Sequence, residues 1–303
     1  MGAFLMTSSS VSASPRATLI GFTAIGMWAT LALLTQLSGP IPPFQLTAMA
    51  FTLAFGVGVL LWWREGESPW RYLKLPAAVW AVGLFGLFGY HFFYFLALRH
   101  APAVEASLIA YLWPLLIVLM SAWLPGERLR WFHGAGAALG FLGAGLLITQ
   151  GQGLSLRAEY TTGYLAALVC AFTWSGYSVL SRYFGAIPTQ SVGGFCGVTA
   201  VLAWVCHGLT ETSVLPVGWQ WLAVFALGIG PVGLAFFTWD YGVKQGNLRT
   251  LGTLSYLAPL LSTLLLVLAR QADPSWTLLL SSILIVGGAL LASGTLRFIS
   301  RDA

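Results

Sequence analysis

The sequence predicts an all-α integral membrane protein in which ten transmembrane helices form two inverted five-helix repeats around a central cavity. Three observations lead there: the composition, a set of apolar stretches of spanning length, and a pattern that recurs about 145 residues along the chain. Hydrophobic residues make up 58% of the 303 residues and charged residues only 8%. With 14 Trp and a mean hydropathy of +0.82, this lies far outside the balance of a soluble domain. The formal net charge of +5 sits in the connections between apolar stretches, so it speaks of topology and not of a nucleic-acid partner.

A bilayer core about 30 Å thick needs roughly 20 helical residues per crossing. The first repeat, residues 17–150, supplies Ala17 to Ser38, Pro43 to Trp63, Pro76 to Leu98, Ala103 to Leu124 and Trp131 to Gln150. The second, residues 161–296, supplies Thr161 to Phe184, Ser191 to Leu209, Trp219 to Val243, Leu248 to Ala269 and Trp276 to Leu296. Breakers and charges fill the short connections, as in Gly39-Pro40-Ile41-Pro42 and Pro125-Gly126-Glu127-Arg128. Residues 1–16 are Ser-rich, with no basic residue ahead of a short apolar patch, and read as a disordered cytoplasmic tail and not a secretory signal. Cys170, Cys196 and Cys206 lie inside apolar runs without metal-ligand spacing, so small buried hydrophobes are expected, with no disulfide and no metal or other cofactor.

Orientation follows from Lys and Arg. One side collects Arg16, Arg64, Arg71, Lys74, Arg128, Arg130, Arg182, Lys244, Arg249, Arg297 and Arg301, and the other only Arg99, Arg157 and Arg270. The positive-inside rule therefore places both termini in the cytoplasm.

The recurring pattern is specific. Trp28 precedes Ile41-Pro42 by the interval that separates Trp174 from Ile187-Pro188, and Tyr111-Leu112-Trp113-Pro114-Leu115-Leu116 matches Tyr256-Leu257-Ala258-Pro259-Leu260-Leu261. An odd-numbered repeat enters the bilayer from opposite sides in its two copies, an arrangement typical of secondary transporters with a midplane site. Pro42 and Pro188 fall where helices begin. Pro114 and Pro259 fall inside spans, as kink or gating positions, and each frees the carbonyl four residues earlier, at Ala110 and Ser255. A freed carbonyl in hydrocarbon needs a partner, so these helices are expected to border a hydrated cavity, or else to adjust locally.

Differences between the copies point to a site. Superposition sets Tyr90 against Ala235, His91 against Phe236, Tyr94 against Trp239 and Trp113 against Ala258, so the third and fourth spans carry extra polar and aromatic groups. His91 and Tyr111 come out at similar depths, roughly 11 Å and 13 Å from the exterior ends at the usual rise. Trp174, Ser175 and Tyr177 cluster on the sixth span, and Arg249, Thr253 and Tyr256 form a stripe on the ninth. Trp28 and Trp174 lie too deep for an interfacial belt and are expected to face inward. Elsewhere, Asp240 and Lys244 are spaced to pair, Glu105 reads as interfacial, and Gly136 and Gly140 allow close helix approach, within the chain or in a homodimer.

These residues carry a resemblance. Ten spans in two copies, the paired Trp to Ile-Pro spacing and the paired Tyr-Leu-x-Pro-Leu-Leu runs resemble the drug/metabolite transporter superfamily, EamA type, over Ala17 to Leu296. Within it, Tyr90-His91-x-x-Tyr94 and Tyr111-Leu112-Trp113-Pro114 are most similar to the bacterial inner-membrane exporters of aromatic amino acids. The resemblance implies a basket of helices around a cavity, export of aromatic amino acids and related metabolites, and substrate contacts from the matching residues. One departure concerns gating: the Pro125 to Arg128 turn meets Arg270-Gln271-Ala272-Asp273 in the second copy.

An aromatic amino acid needs an apolar slot for its ring and a few polar groups for its head. Tyr90, Tyr94, Tyr111, Trp113 and Trp174 are candidates for the slot, with His91, Tyr177 and Tyr256 beside them. Midplane positions offer no obvious carboxylate, leaving His91 as the titratable candidate for coupling. A facilitator and a proton-coupled exporter of another metabolite, such as a purine or a drug-like compound, both stay open. An intramembrane enzyme is disfavoured, because His91, His100, His133 and His207 show no metal-ligand spacing and no repeated catalytic pairing.

Overall fold

The computed structural model describes residues 13–125, 129–152, 156–269 and 273–293, and among these all regular structure is helical. Ten helices run in sequence: α1 (Pro15–Leu37), α2 (Pro43–Glu65), α3 (Ala77–His100), α4 (Ala103–Trp123), α5 (Trp131–Thr149), α6 (Ala158–Tyr183), α7 (Thr189–Thr210), α8 (Gln220–Gln245), α9 (Leu248–Leu268) and α10 (Trp276–Ser293). The first nine are long and apolar enough to cross a membrane, and α10 is a shorter apolar helix among the described residues. Of the expected tail, residues 1–12 lie outside the described residues, as do Gly126 to Arg128, Arg270 to Ala272 and everything from Gly294, including Arg297 and Arg301. The tail's last residues are helical: Ser14 caps α1 by accepting the Ala17 N–H at 3.4 Å, and Pro15 takes the first turn, where its missing N–H is harmless.

Several spans are not simple α-helices. α4 breaks at Tyr111-Leu112, between Ala103–Ala110 and Trp113–Met120, and α9 breaks at Ser255-Tyr256, within one residue of the equivalent position. Both breaks fall just ahead of the two intramembrane prolines. π-helical turns at Phe85–Gly89 in α3 and Gly230–Leu234 in α8 are likewise equivalent between the copies. Hydropathy and helical spacing give no sign of them; such turns are frequent at functional sites.

Helix pairing maps onto itself when the two copies are exchanged. α1 packs on α8 as α6 packs on α3, while α2 pairs with α7 and α5 with α10. Lipid tails offer no hydrophobic reward for helix association, so close approach depends on small residues. A Cβ on Gly21 would sit 2.9 Å from the Cα of Gly242 at the α1–α8 crossing, and one on Gly58 would sit 2.6 Å from the Cα of Gly193 at the α2–α7 crossing. At α5–α10, Gly136 abuts the Gly288 carbonyl, and Gly140 faces the Tyr256 ring. The Gly136 and Gly140 face is therefore used inside the chain and is not a free surface for a second copy.

The two ends of the bundle differ. On the side holding both described ends, here the terminal side, the Trp113–Met120 half of α4 packs on the Leu248–Leu254 half of α9, and α6 packs on α8. The symmetry-equivalent pairs on the far side, α9 on α4 and α1 on α3, have no comparable packing among the described residues. Cys170 and Cys196 are buried thiols as expected, whereas Cys206 is partly exposed.

Candidate functional site

Four tryptophans from four helices meet at the middle of the bundle. Trp28 of α1, Trp113 of α4, Trp174 of α6 and Trp239 of α8 make all six ring pairs at centroid distances between 5.0 and 6.3 Å. Most are edge-on or tilted, the arrangement favoured by ring quadrupoles. Each indole N–H of a buried Trp needs an acceptor: Trp28 donates to the Pro231 carbonyl at 3.1 Å, inside the α8 π-turn, and Trp239 donates to Ser178 Oγ at 3.0 Å. Phe236 closes the box, 5.6 Å from Trp174 and stacked on Phe51 at 5.6 Å.

A second layer lies on the far side of the box. Tyr90 and Tyr94, one turn apart on α3, stack at 6.1 Å with an 8° interplanar angle, and Tyr90 lies 5.8 Å from Trp174. Tyr94 shares a hydrogen bond with Ser107 of α4 at 3.0 Å. Tyr111, at the α4 break, lies 6.5 Å from Trp113. Tyr90, His91, Tyr94 and Tyr111 are half-buried, on the side of the box where fewer helix pairs close on each other. The box itself is filled by its own rings, with Trp113 and Trp174 4–5% exposed and Trp239 fully buried. The centre of the bundle, where the sequence predicts a cavity, is therefore occupied by these rings, because large apolar rings pack to interior density.

His91 has a fixed role for one nitrogen. Nδ1 lies 2.7 Å from the Leu87 carbonyl, in the α3 π-turn, and only an Nδ1–H can bond to that acceptor. Its ring packs edge-on against Phe51 at 5.1 Å and near Phe236 at 6.4 Å. In the neutral ring Nε2 is then an acceptor.

Two of the sequence candidates stand apart from this layer. Tyr177 lies on the terminal side of Trp174, 5.2 Å away, and its hydroxyl reaches Asp240 Oδ1 at 3.4 Å. Tyr256 is fully buried between α5 and α10, near Phe141. Its hydroxyl accepts the Leu115 N–H at 3.1 Å, the amide that the α4 break leaves without a helical partner. Beside the Pro114 break Ser175 Oγ donates to the Trp113 carbonyl at 3.0 Å, and the carbonyl freed by Pro259, that of Ser255, accepts the Ala258 N–H at 3.1 Å. For Pro259, local adjustment takes the place of the expected exposure to a cavity, since the tighter turn brings a nearer amide within reach.

Trp239, Phe236 and Phe51 enter the site without having been read from the sequence as site residues. Trp239 appears there only as the counterpart of Tyr94, and that asymmetry was the available signal. Asp240 and Lys244 do pair, at 2.7 Å, and Glu105 accepts a bond from the Tyr164 hydroxyl near the far-side ends of α4 and α6.

Comparison with known proteins agrees with this architecture. The profile of the EamA-like transporter family matches the chain twice, over residues 15–149 and 161–294. A protein of Ancylobacter novellus named aromatic amino acid exporter YddG is 57% identical over 278 residues, covering 91% of this chain and 96% of its own. A Salmonella typhimurium protein of the same name is 26% identical over 92% of this chain and 97% of its own, and an Escherichia coli biotin transporter is 25% identical over 80% of this chain and 81% of its own. A solved crystal structure with 56% sequence identity superposes with a TM-score of 0.89, covering 94% of this chain and all of the other.

Proposed function

The chain belongs to the EamA-like transporter family, and from that membership we propose that it exports aromatic amino acids and related small metabolites across the bacterial inner membrane by alternating access. The stated activity of the 57% identical relative supports the substrate class. The observation that carries the reading is the four-indole box with Tyr90, Tyr94, His91 and Tyr111 ranged on its far side.

A substrate ring placed there exchanges contacts among the protein's rings for contacts with its own faces and edges. Each such contact is worth about 0.5–1.5 kcal/mol beyond area burial, so selection for aromatic side chains is broad and not stringent. The ammonium group finds tyrosine hydroxyls, ring faces and, with Nδ1 committed to Leu87, the Nε2 lone pair of neutral His91. Tyr90 and Tyr111 hydroxyls serve the carboxylate. Tyr177 and Tyr256 act outside this pocket, Tyr256 as a brace for the α4 break.

The excess of Lys and Arg on the terminal side assigns that side to the cytoplasm. The bundle is then more closely packed toward the cytoplasm than toward the exterior, which supports a state from which an exporter releases its load. Reconstitution into liposomes tests the reading. Labelled Phe and Trp are expected to move several-fold faster than Ala, and His91→Ala or Trp113→Ala to slow them with folded yield intact. Equal rates for Phe and Ala, or transport confined to a purine, would reject the substrate class.

A further inference from the structure

The ring box lacks charge, and the charges that an amino acid's head requires are gathered one layer toward the terminal side. Asp240 and Lys244, one turn apart on α8, pair at 2.7 Å with side chains only 2% and 6% exposed. Asp240 Oδ2 also accepts Thr189 Oγ1 at 2.8 Å, while Oδ1 holds only the long 3.4 Å contact from Tyr177. Lys244 Nζ donates in addition to the Ile187 carbonyl at 3.0 Å. Two of its three N–H groups are thus engaged, so both charges retain capacity for another bond.

A narrow crevice runs beside the pair, walled by Tyr177, Phe184 and Phe195. Tyr177 links it to the ring box, since its ring lies against Trp174 while its hydroxyl reaches Asp240. Burying two charges generally costs as much as their attraction returns, and an apolar pair of similar volume would serve packing as well. The shared scaffold does not need a carboxylate here either, because Asp240 superposes on Phe95 of the first copy.

We infer that Asp240, Lys244 and this crevice form a cytoplasmic loading site that takes the zwitterionic head of an α-amino acid, ammonium on Asp240 and carboxylate on Lys244. The inference rests on the amino acid export proposed above. In the sealed state the two side chains neutralise each other. A zwitterion brings one charge of each sign and can replace both halves of the pair, whereas an amine or an acid alone leaves one buried charge unmatched. Tyr177, Phe184 and Phe195 accept the ring, and Tyr177 passes the load toward Trp174.

The test is competition against labelled Phe in proteoliposomes with the terminal side facing the medium, using phenethylamine and 3-phenylpropionate as single-charge analogues. The wild-type protein is expected to prefer Phe over both. In Lys244→Met the preference over the amine falls by about tenfold while that over the acid remains, and Asp240→Asn does the converse. The double variant Asp240→Asn with Lys244→Met leaves no unpaired buried charge, so it keeps the fold where a single variant does not, and it is expected to lose both preferences. Wild-type preferences retained in the double variant, or in both single variants, overturn the loading site while leaving export of Phe intact. Failure of the wild-type protein to carry Phe would instead reject the export reading itself.

Discussion

A tryptophan in a membrane helix has two stable environments, the interfacial belt and the packed interior, and depth along the helix separates them. Trp28, Trp113, Trp174 and Trp239 occupy the second, and two of them show the accompanying requirement for an indole acceptor, met by the Pro231 carbonyl and by Ser178. Tyr256 illustrates a different demand. Its phenol is committed to a backbone amide exposed by a proline break 141 residues away in the other copy. Replacing it with Phe leaves the Leu115 N–H buried without an acceptor, at a cost of about 1–3 kcal/mol. Tyr256→Phe should therefore lower the thermal unfolding temperature in detergent while leaving Phe transport by the folded fraction near normal. A variant as stable as the wild type but unable to transport would place Tyr256 in the substrate pocket after all.

At the level of single helices, irregularity is concentrated where the site is. The π-turns of α3 and α8 aim a carbonyl at His91 and at Trp28 respectively, and the breaks in α4 and α9 set Trp113 and Tyr256 at the midplane. Regular stretches do the packing instead, and their glycines are not interchangeable. On α2, Gly58 is pressed against Gly193 of α7, whereas a side chain on Gly56 would meet nothing within 4 Å. Gly58→Val should destabilise by about 1–3 kcal/mol through overpacking, and Gly56→Ala should be neutral or stabilising by up to about 1 kcal/mol through helix propensity. Unfolding midpoints of the two variants check this contrast; equal shifts would mean that the α2–α7 contact yields to added volume.

For the whole molecule, two copies of one helix pattern yield two unequally packed ends, and on the proposed function that inequality sets which side a substrate reaches. Tyr94 is half-buried on the less closely packed side, and Ser178 is fully buried on the terminal side. In a background lacking the three native cysteines, a membrane-impermeant maleimide applied from the exterior should label Tyr94→Cys. Ser178→Cys should resist the reagent from the cytoplasmic face. Labelling of Ser178→Cys alone would mean that the resting protein is open to the cytoplasm. The order of spans, the two copies, the Pro114 and Pro259 breaks and the inward direction of Trp28 and Trp174 were all readable along the chain. Hydropathy, the missing proline N–H and helical spacing are local properties, and each acts within a few residues of its cause. The rotation of one helix against another is not local, because it is set by which side chains meet across the bundle. Only the tertiary structure could therefore bring Trp239 and Phe236 into the box, commit His91 Nδ1 to a π-turn carbonyl and set the Tyr256 hydroxyl on the Leu115 amide. It also decided that the Gly136 and Gly140 face is spent within the chain and that Asp240 and Lys244 are sealed beneath the rings.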